Sequence, residues 1–158
     1  MGRLKTVITG GLIAGLLDIT YAFAIFWFWK HIPPIRIGQG IATHVLGPSS
    51  FSGGWPTFAL GIGLHFGIAV VMALVFYLIC RIVPLIARNA LIFAPVYGVI
   101  LYGVMTYVVL PMTDPKHGPA PAFPPAFDLD FASAMFAHII LVALPIAILA
   151  RRALRDEA

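Results

Sequence analysis

Four long apolar stretches constrain the fold of this chain more than any other feature. A helix needs roughly 20 mainly apolar residues to cross a hydrocarbon core of about 30 Å. Four stretches meet this requirement, at residues 7–29, 57–80, 90–110 and 131–150. The sequence therefore predicts an all-α integral membrane protein with a single domain, folded as an antiparallel bundle of four transmembrane helices.

The composition excludes the main alternative classes. Of the 158 residues, 61% are hydrophobic and only 10% are charged, and the mean hydropathy is +0.99. A soluble domain of ordinary composition has about a quarter charged residues, so this chain is not a water-soluble globular protein. The long apolar blocks exclude a disordered chain, and the single cysteine, Cys80, excludes a disulfide-built one.

The basic residues are distributed unevenly and so predict an orientation. Seven of the ten flank the chain ends or lie in the short connection at 81–89, whereas three lie in the long connections at 30–56 and 111–130. By the positive-inside rule we expect both termini to be cytoplasmic and both long connections to face outward. No basic patch with interleaved aromatic residues occurs, so we expect the partner to be the lipid bilayer and not a nucleic acid.

The two long connections differ in character. The first has apolar residues within a glycine- and serine-rich frame, which predicts a short interfacial or re-entrant helix at 39–46, over the outer mouth of the bundle. The second contains six prolines between residues 111 and 125. Repeated proline disfavours a helix, so an extended connection is expected there.

Three ionisable side chains fall within the predicted spans, at Asp18, His65 and His138. Such groups are costly in a membrane, so each marks a candidate functional site. Asp18 lies near the middle of the first span and shares its helix face with Gly11 and Gly15, which would let another helix approach closely. We therefore expect the Asp18 side chain to face the interior of the bundle.

Helix rise places several polar side chains at one depth. Counting from the span ends puts His65, His138 and two tyrosines about 10 to 12 Å beneath the outer surface, one on each helix. The sequence thus predicts a polar ligand-binding pocket in the outer half of the bundle. Its predicted lining is Asp18, Tyr21, His65, Tyr102 and His138, with His44 closing it from above. The alternative for each single residue is structural, because tyrosines often reach toward the interface and histidines often bond a neighbouring helix.

Several functions are compatible with this pocket. The first is non-enzymatic binding or permeation of protons or a small ligand, with His65 and His138 as recognising groups and Asp18 as the protonatable one. The second is a redox or metal protein in which the two histidines ligate haem b, or copper or zinc beside nearby methionines.

The third possibility is an accessory subunit of a larger membrane complex, or a homo-oligomer. Small residues at helical spacing, such as Gly63 and Gly67, would supply the helix contact. An enzyme is not expected, because neither an H-E-x-x-H nor a G-x-S-x-G motif occurs in the sequence.

Four segments carry a resemblance to a known family: GGLIAGLLD, LGIGLHFGIAVVMALVFYL, PVYGVILYGVMTYVVLPM and AHIILVALPIAIL. Over nearly its whole length the chain resembles the YagU-like family of bacterial membrane proteins, a domain of unknown function. The matching motifs are His65 with Phe66, Tyr97 with Gly98, Pro111 after the third span, and His138. The resemblance implies four spans and a bacterial inner-membrane location, and it implies no activity.

Overall fold

The computed structural model describes residues 2–113 and 122–155, and this part of the chain is almost entirely helical, with no strand. The α-helices are α1 (Arg3–Lys30), α2 (Pro34–Leu46), α3 (Gly54–Ile82), α4 (Pro84–Arg88), α5 (Ala90–Val104), α6 (Leu110–Thr113), α7 (Leu129–Phe136) and α8 (Leu144–Arg155). A 3₁₀ segment follows α2 at Gly47–Ser52, and π-helical turns lie at Met105–Val109 and Ala137–Ala143.

Four helical stretches in the described part are long and apolar enough to cross a membrane, as the sequence predicts. They are the first span (Arg3–Lys30), the second span (Gly54–Ile82), the third span (Ala90–Met112) and the fourth span (Leu129–Arg155). The third span joins α5 to α6 through the first π-turn, and the fourth joins α7 to α8 through the second.

Local sequence explains where the helices begin and end. The first span ends at Lys30, and the next residue, His31, caps it in a left-handed conformation with φ 54°. Pro34 occupies the first turn of α2, where a missing N–H costs nothing. At the start of α7, the Asp128 carboxylate accepts a hydrogen bond from the Phe131 N–H at 2.9 Å, which caps the helix.

The predicted helix at 39–46 is present and begins earlier, at Pro34. A buried polar network holds it to the start of the second span. The Ser50 hydroxyl donates to the Gln39 carbonyl at 2.9 Å, and the Gln39 side chain donates to the Gly54 carbonyl at 3.2 Å. Thr57 Oγ1 donates to the Ser50 carbonyl at 2.7 Å. We call the end of the molecule that carries this helix the α2 end.

Small residues bring the first and second spans into close contact. A Cβ built on Gly11 would lie 2.6 Å from Val70 Cα, and one built on Gly15 would lie 2.9 Å from the Phe66 ring. The expected close approach of another helix to this face of the first span is therefore present. Alanines fill much of the core, with Ala14, Ala143 and Ala147 fully buried.

The spans do not all contact one another equally. The first span packs against the second and fourth, and the fourth also packs against the second and third. The second and third spans have almost no close backbone contact in the described part of the chain. They meet through side chains away from the α2 end, where the Phe76 and Tyr97 rings lie 4.8 Å apart and the Tyr97 hydroxyl donates to the Met72 carbonyl at 2.8 Å.

Proline explains both π-turns. Each π-turn ends two residues before a proline, at Pro111 in the third span and Pro145 in the fourth. A proline ring lacks the N–H and clashes with the carbonyl four residues earlier, and widening the preceding turn relieves that clash. The expectation that proline excludes a helix from residue 111 onward is wrong at Pro111, which lies within α6. Part of the proline-rich connection, residues 114–121, lies outside the described residues.

Candidate functional site

A cavity of about 810 Å³ lies between the second and third spans. The first and fourth spans form its back wall through Gly15, Asp18, His138 and Val142, and α2 covers one end of it. The side walls are apolar and include Leu64, Ile68 and Met72 from the second span with Met105, Val109 and Leu110 from the third. The cavity is therefore an apolar space with polar groups at its back.

Four of the six predicted site residues line this cavity: Asp18, His44, His65 and His138. Three of them come from different spans and share its back region, while His44 lies on α2. The structure thus brings together the three intramembrane ionisable groups that the sequence singles out.

His65 joins the first two spans through a backbone contact. Its Nε2 lies 2.9 Å from the Gly15 carbonyl oxygen and 3.9 Å from the Asp18 carboxylate. A carbonyl only accepts, so Nε2 carries the proton and donates it to Gly15. The 3.9 Å separation from Asp18 exceeds hydrogen-bond distance, so the Asp18 carboxylate has no hydrogen bond from any described residue.

His138 is oriented by the helix that carries it. Its Nδ1 lies 2.8 Å from the Ala134 carbonyl oxygen, one turn earlier, and must therefore be the protonated nitrogen. In the neutral ring Nε2 then has a free lone pair, and no described side chain bonds it. The Tyr102 ring packs edge-on against the imidazole, with centroids 5.7 Å apart at 87°, which fixes the ring plane.

The π-turns place cavity-facing side chains from two spans. Met105 and Val109 come from the first π-turn, and His138 and Val142 from the second. Turns of this kind are rare and occur often at functional sites. The sequence signal is a pair of similar segments, VVLP and VALP, each placing a proline just after the turn.

The two predicted tyrosines do not line the main cavity. The Tyr21 hydroxyl lies 2.9 Å from Ser133 Oγ and so joins the first and fourth spans. Tyr102 lines a separate, smaller cavity of about 340 Å³ with Asp128 and Asp130. Tyr102 still contacts His138, but neither tyrosine faces the main cavity, because the rotation of each helix sets which side a residue occupies.

Arg36 lines the cavity and was not predicted from the sequence. It lies on α2 at the same face as Gly40 and His44, four and eight residues along, so helical spacing would have identified it. Its guanidinium donates to the Phe51 carbonyl at 3.0 Å and lies 5.6 Å from the Phe51 ring centroid. This fixed cation lies at the α2 end of the cavity.

The two histidines are not equally suited to bind a metal ion or haem. Ligating histidines usually donate the other ring N–H to a carbonyl or carboxylate, and His138 does so through Nδ1. His65 instead uses Nε2 for the Gly15 carbonyl, which leaves only Nδ1 for a ligand. The described residues contain no cluster of three or more histidine, cysteine, aspartate or glutamate side chains that could hold a metal ion.

Taken together, the geometry provides a sizeable apolar space with hydrogen-bonding groups concentrated on its back wall. Cavities of about 300 to 1,000 Å³ with few, convergent polar groups are typical of small-molecule sites. Comparison of the chain with protein-family models, curated proteins and solved structures finds no match.

Proposed function

We propose that this chain is a membrane protein that binds a small, largely apolar molecule in the cavity between its second and third spans, without converting it chemically. One observation carries the proposal. A cavity of about 810 Å³ has apolar walls and places Asp18, His65 and His138 together on its back wall. Ionisable groups at membrane depth are costly to retain, and a ligand site explains three of them at once.

We also propose that the four spans form an antiparallel bundle in a bacterial inner membrane, with both termini cytoplasmic. Contacts between the first two spans support the antiparallel arrangement, since Gly11 approaches Val70 while Phe23 lies 6.3 Å from Phe58. The uneven distribution of basic residues supports the orientation. The resemblance to the YagU-like family supports the location. In this orientation the α2 end faces outward.

Binding accounts for the geometry better than permeation by a single chain. Asp18 and His65, 3.9 Å apart, are close enough to exchange a proton through one water molecule. Toward the other end, however, the Phe76 and Tyr97 rings and the bond from Tyr97 to the Met72 carbonyl close the base of the cavity. A ligand can therefore be held there, whereas proton conduction would require that base to open.

A haem or metal protein is the second candidate, and the orientation of His138 favours it. The Nδ1 bond to Ala134 directs Nε2 away from its own helix, as a ligating histidine requires. Under this candidate His65 and His138 hold haem b or copper. Visible spectra of the purified protein, oxidised and then reduced, test it together with metal analysis. A haem spectrum that disappears in His138→Ala would replace the ligand-binding proposal.

An assembly role is a third candidate and rests on one exposed face. Gly63 and Gly67 are exposed on the second span, and a Cβ built on either meets nothing within 4 Å. Such a face would admit a helix from a second copy or from a larger membrane complex. Cross-linking in membranes between cysteines introduced at residue 63 tests for a second copy.

Ligand binding is tested with a photoreactive dodecane that carries a diazirine, added to the protein in phosphatidylcholine nanodiscs. Labelling is mapped by mass spectrometry at Met72, which lines the cavity, and at Val71, which faces outward with 58% of its surface exposed. A binding site predicts labelling that saturates at Met72 and rises linearly at Val71, because partition into a bilayer does not saturate.

A matched pair of double variants controls this experiment. Gly40→Phe with Ile68→Trp enlarges two side chains that line the cavity, and Gly40 has open space around its Cβ position. Gly63→Phe with Val71→Trp makes the same changes on the outward face. We expect the first pair to reduce labelling at Met72 severalfold and the second to leave it unchanged. Linear labelling at Met72 in the unmodified protein would refute the proposal.

A further inference from the structure

With the Asp18 carboxyl ionised, as pairing with a cation requires, the back wall of the cavity offers a ligand hydrogen-bond acceptors and almost no donors. The N–H of His65 is used by the Gly15 carbonyl, and the N–H of His138 is used by the Ala134 carbonyl. What remains is the Asp18 carboxylate, which has no hydrogen bond from a described residue, and the lone pairs on Nδ1 of His65 and Nε2 of His138. A ligand that satisfies these groups must bring the hydrogens itself.

The charge of the Asp18 carboxylate further restricts the class of ligand. A carboxylate in an apolar space loses the water that stabilises it, and a cation that also donates hydrogen bonds restores most of that stabilisation. His65 does not supply this partner, because its Nε2 is 3.9 Å away and donates elsewhere. The guanidinium of Arg36 does not supply it either, since it donates to the Phe51 carbonyl at the α2 end.

The route of entry points to a molecule that dissolves in the membrane. In the described part of the chain the second and third spans have almost no close backbone contact, and α2 contacts both of them and covers one end of the gap. Ile68 and Leu110 lie on the two sides of this gap and are 36% and 43% exposed. The cavity is thus accessible from the hydrocarbon region, and its apolar walls suit an apolar chain or ring.

We propose that the cavity binds a lipophilic ammonium compound. Its protonated amine pairs with the Asp18 carboxylate and donates to Nε2 of His138, while its apolar part lies among Ile68, Met72 and Met105. The gap between the second and third spans is its entrance. This inference rests on the proposed function and names the class of molecule that the site selects.

The test compares two competitors that differ only in the head group. Dodecylamine, protonated at neutral pH, and uncharged dodecanol are each added to the full chain in phosphatidylcholine nanodiscs, with the photoreactive dodecane as probe. Protection of Met72 from labelling is the readout. We expect dodecylamine to protect at concentrations at least tenfold lower than dodecanol.

Three variants of carboxylate residues test whether the preference for the amine comes from Asp18. Asp18→Asn keeps the size and removes the charge, so the tenfold preference should disappear. Asp18→Glu keeps the charge and should therefore retain the preference for the amine. Asp130→Asn removes a carboxylate at the α2 end that is 69% exposed and paired with Lys30, and it should change nothing. If Asp18→Asn does not fold, the comparison of amine with alcohol in the unmodified protein and in Asp18→Glu decides the question.

The outcomes separate this inference from the proposed function. Saturable labelling of Met72 with equal protection by amine and alcohol would overturn the ammonium inference and leave the binding site standing. Loss of the preference in Asp130→Asn as well would also overturn it, since the effect would then come from surface charge. Labelling that does not saturate would refute the binding site itself.

Discussion

Replacing Gly11 by alanine should push the first and second spans apart. The added Cβ would lie 2.6 Å from Val70 Cα and 2.9 Å from the Ala69 carbonyl oxygen, and both are backbone atoms that cannot rotate away. An ordinary contact needs about 3.6 Å, so the helices must separate by about 1 Å. Overpacking of this kind costs about 1 to 3 kcal/mol.

The same shift would disrupt the histidine contact one turn along. The distance from His65 Nε2 to the Gly15 carbonyl is 2.9 Å, and a 1 Å separation would lengthen it to about 4 Å, beyond hydrogen-bond range. That loss adds about 1 kcal/mol. We therefore expect Gly11→Ala to lower the free energy of unfolding by about 2 to 4 kcal/mol and to weaken saturable labelling at Met72.

The free energy of unfolding can be measured in mixed micelles by titrating a denaturing detergent and following tryptophan fluorescence. Gly63→Ala is the matched control, because its Cβ would meet nothing within 4 Å. That substitution should stabilise its helix by about 0.5 to 1 kcal/mol, since alanine loses less backbone entropy than glycine. Equal effects of the two substitutions would refute the claim that Gly11 is a point of helix contact.

Three further perturbations test other parts of the structure. Tyr97→Phe removes the hydroxyl that bonds the second span, so the same titration should show a loss of about 1 kcal/mol, and an unchanged value would mean that this bond contributes nothing. Pro145→Ala should let the second π-turn relax to an α-helix, with a gain in helix stability of up to about 3 kcal/mol. Because His138 would then change its facing direction, we also expect labelling at Met72 to be lost. Unchanged labelling would contradict the role given to this π-turn. Lys30→Met breaks an ion pair to Asp130 whose side chains are 36% and 69% exposed, and a change in unfolding free energy above about 1 kcal/mol would show that the pair is stronger than its exposure implies.

Sequence patterns predicted the spans because the requirement that produces them is local. Any stretch of about 20 apolar residues is long enough to cross the hydrocarbon core of a membrane, whatever the rest of the sequence is. The same reasoning identified Asp18, His65 and His138, since an ionisable group in such a stretch is conspicuous by itself. Tyr21 and Tyr102 do not line the main cavity with them, although Tyr102 contacts His138, because depth follows from counting residues whereas the facing direction depends on helix rotation.

Arg36 is a residue that the sequence could have identified as part of the cavity lining but that was not predicted. It belongs to the same helical face as Gly40 and His44, and that face lines the cavity. Pro111 shows how a local rule can be overridden. A proline normally ends a helix, but the π-turn before it allows the third span to continue through α6.

The sequence by itself determined the number of spans, their approximate limits and the three ionisable groups placed within them, because these depend on which residues follow one another along the chain. Only the tertiary structure decided that the second and third spans diverge, that α2 covers the space between them, and that Asp18, His65 and His138 share one wall of it. Those features depend on how side chains distant in the sequence pack, and on two π-turns that place side chains on the cavity wall. Such packing is a property of several helices together and is not encoded in any one of them.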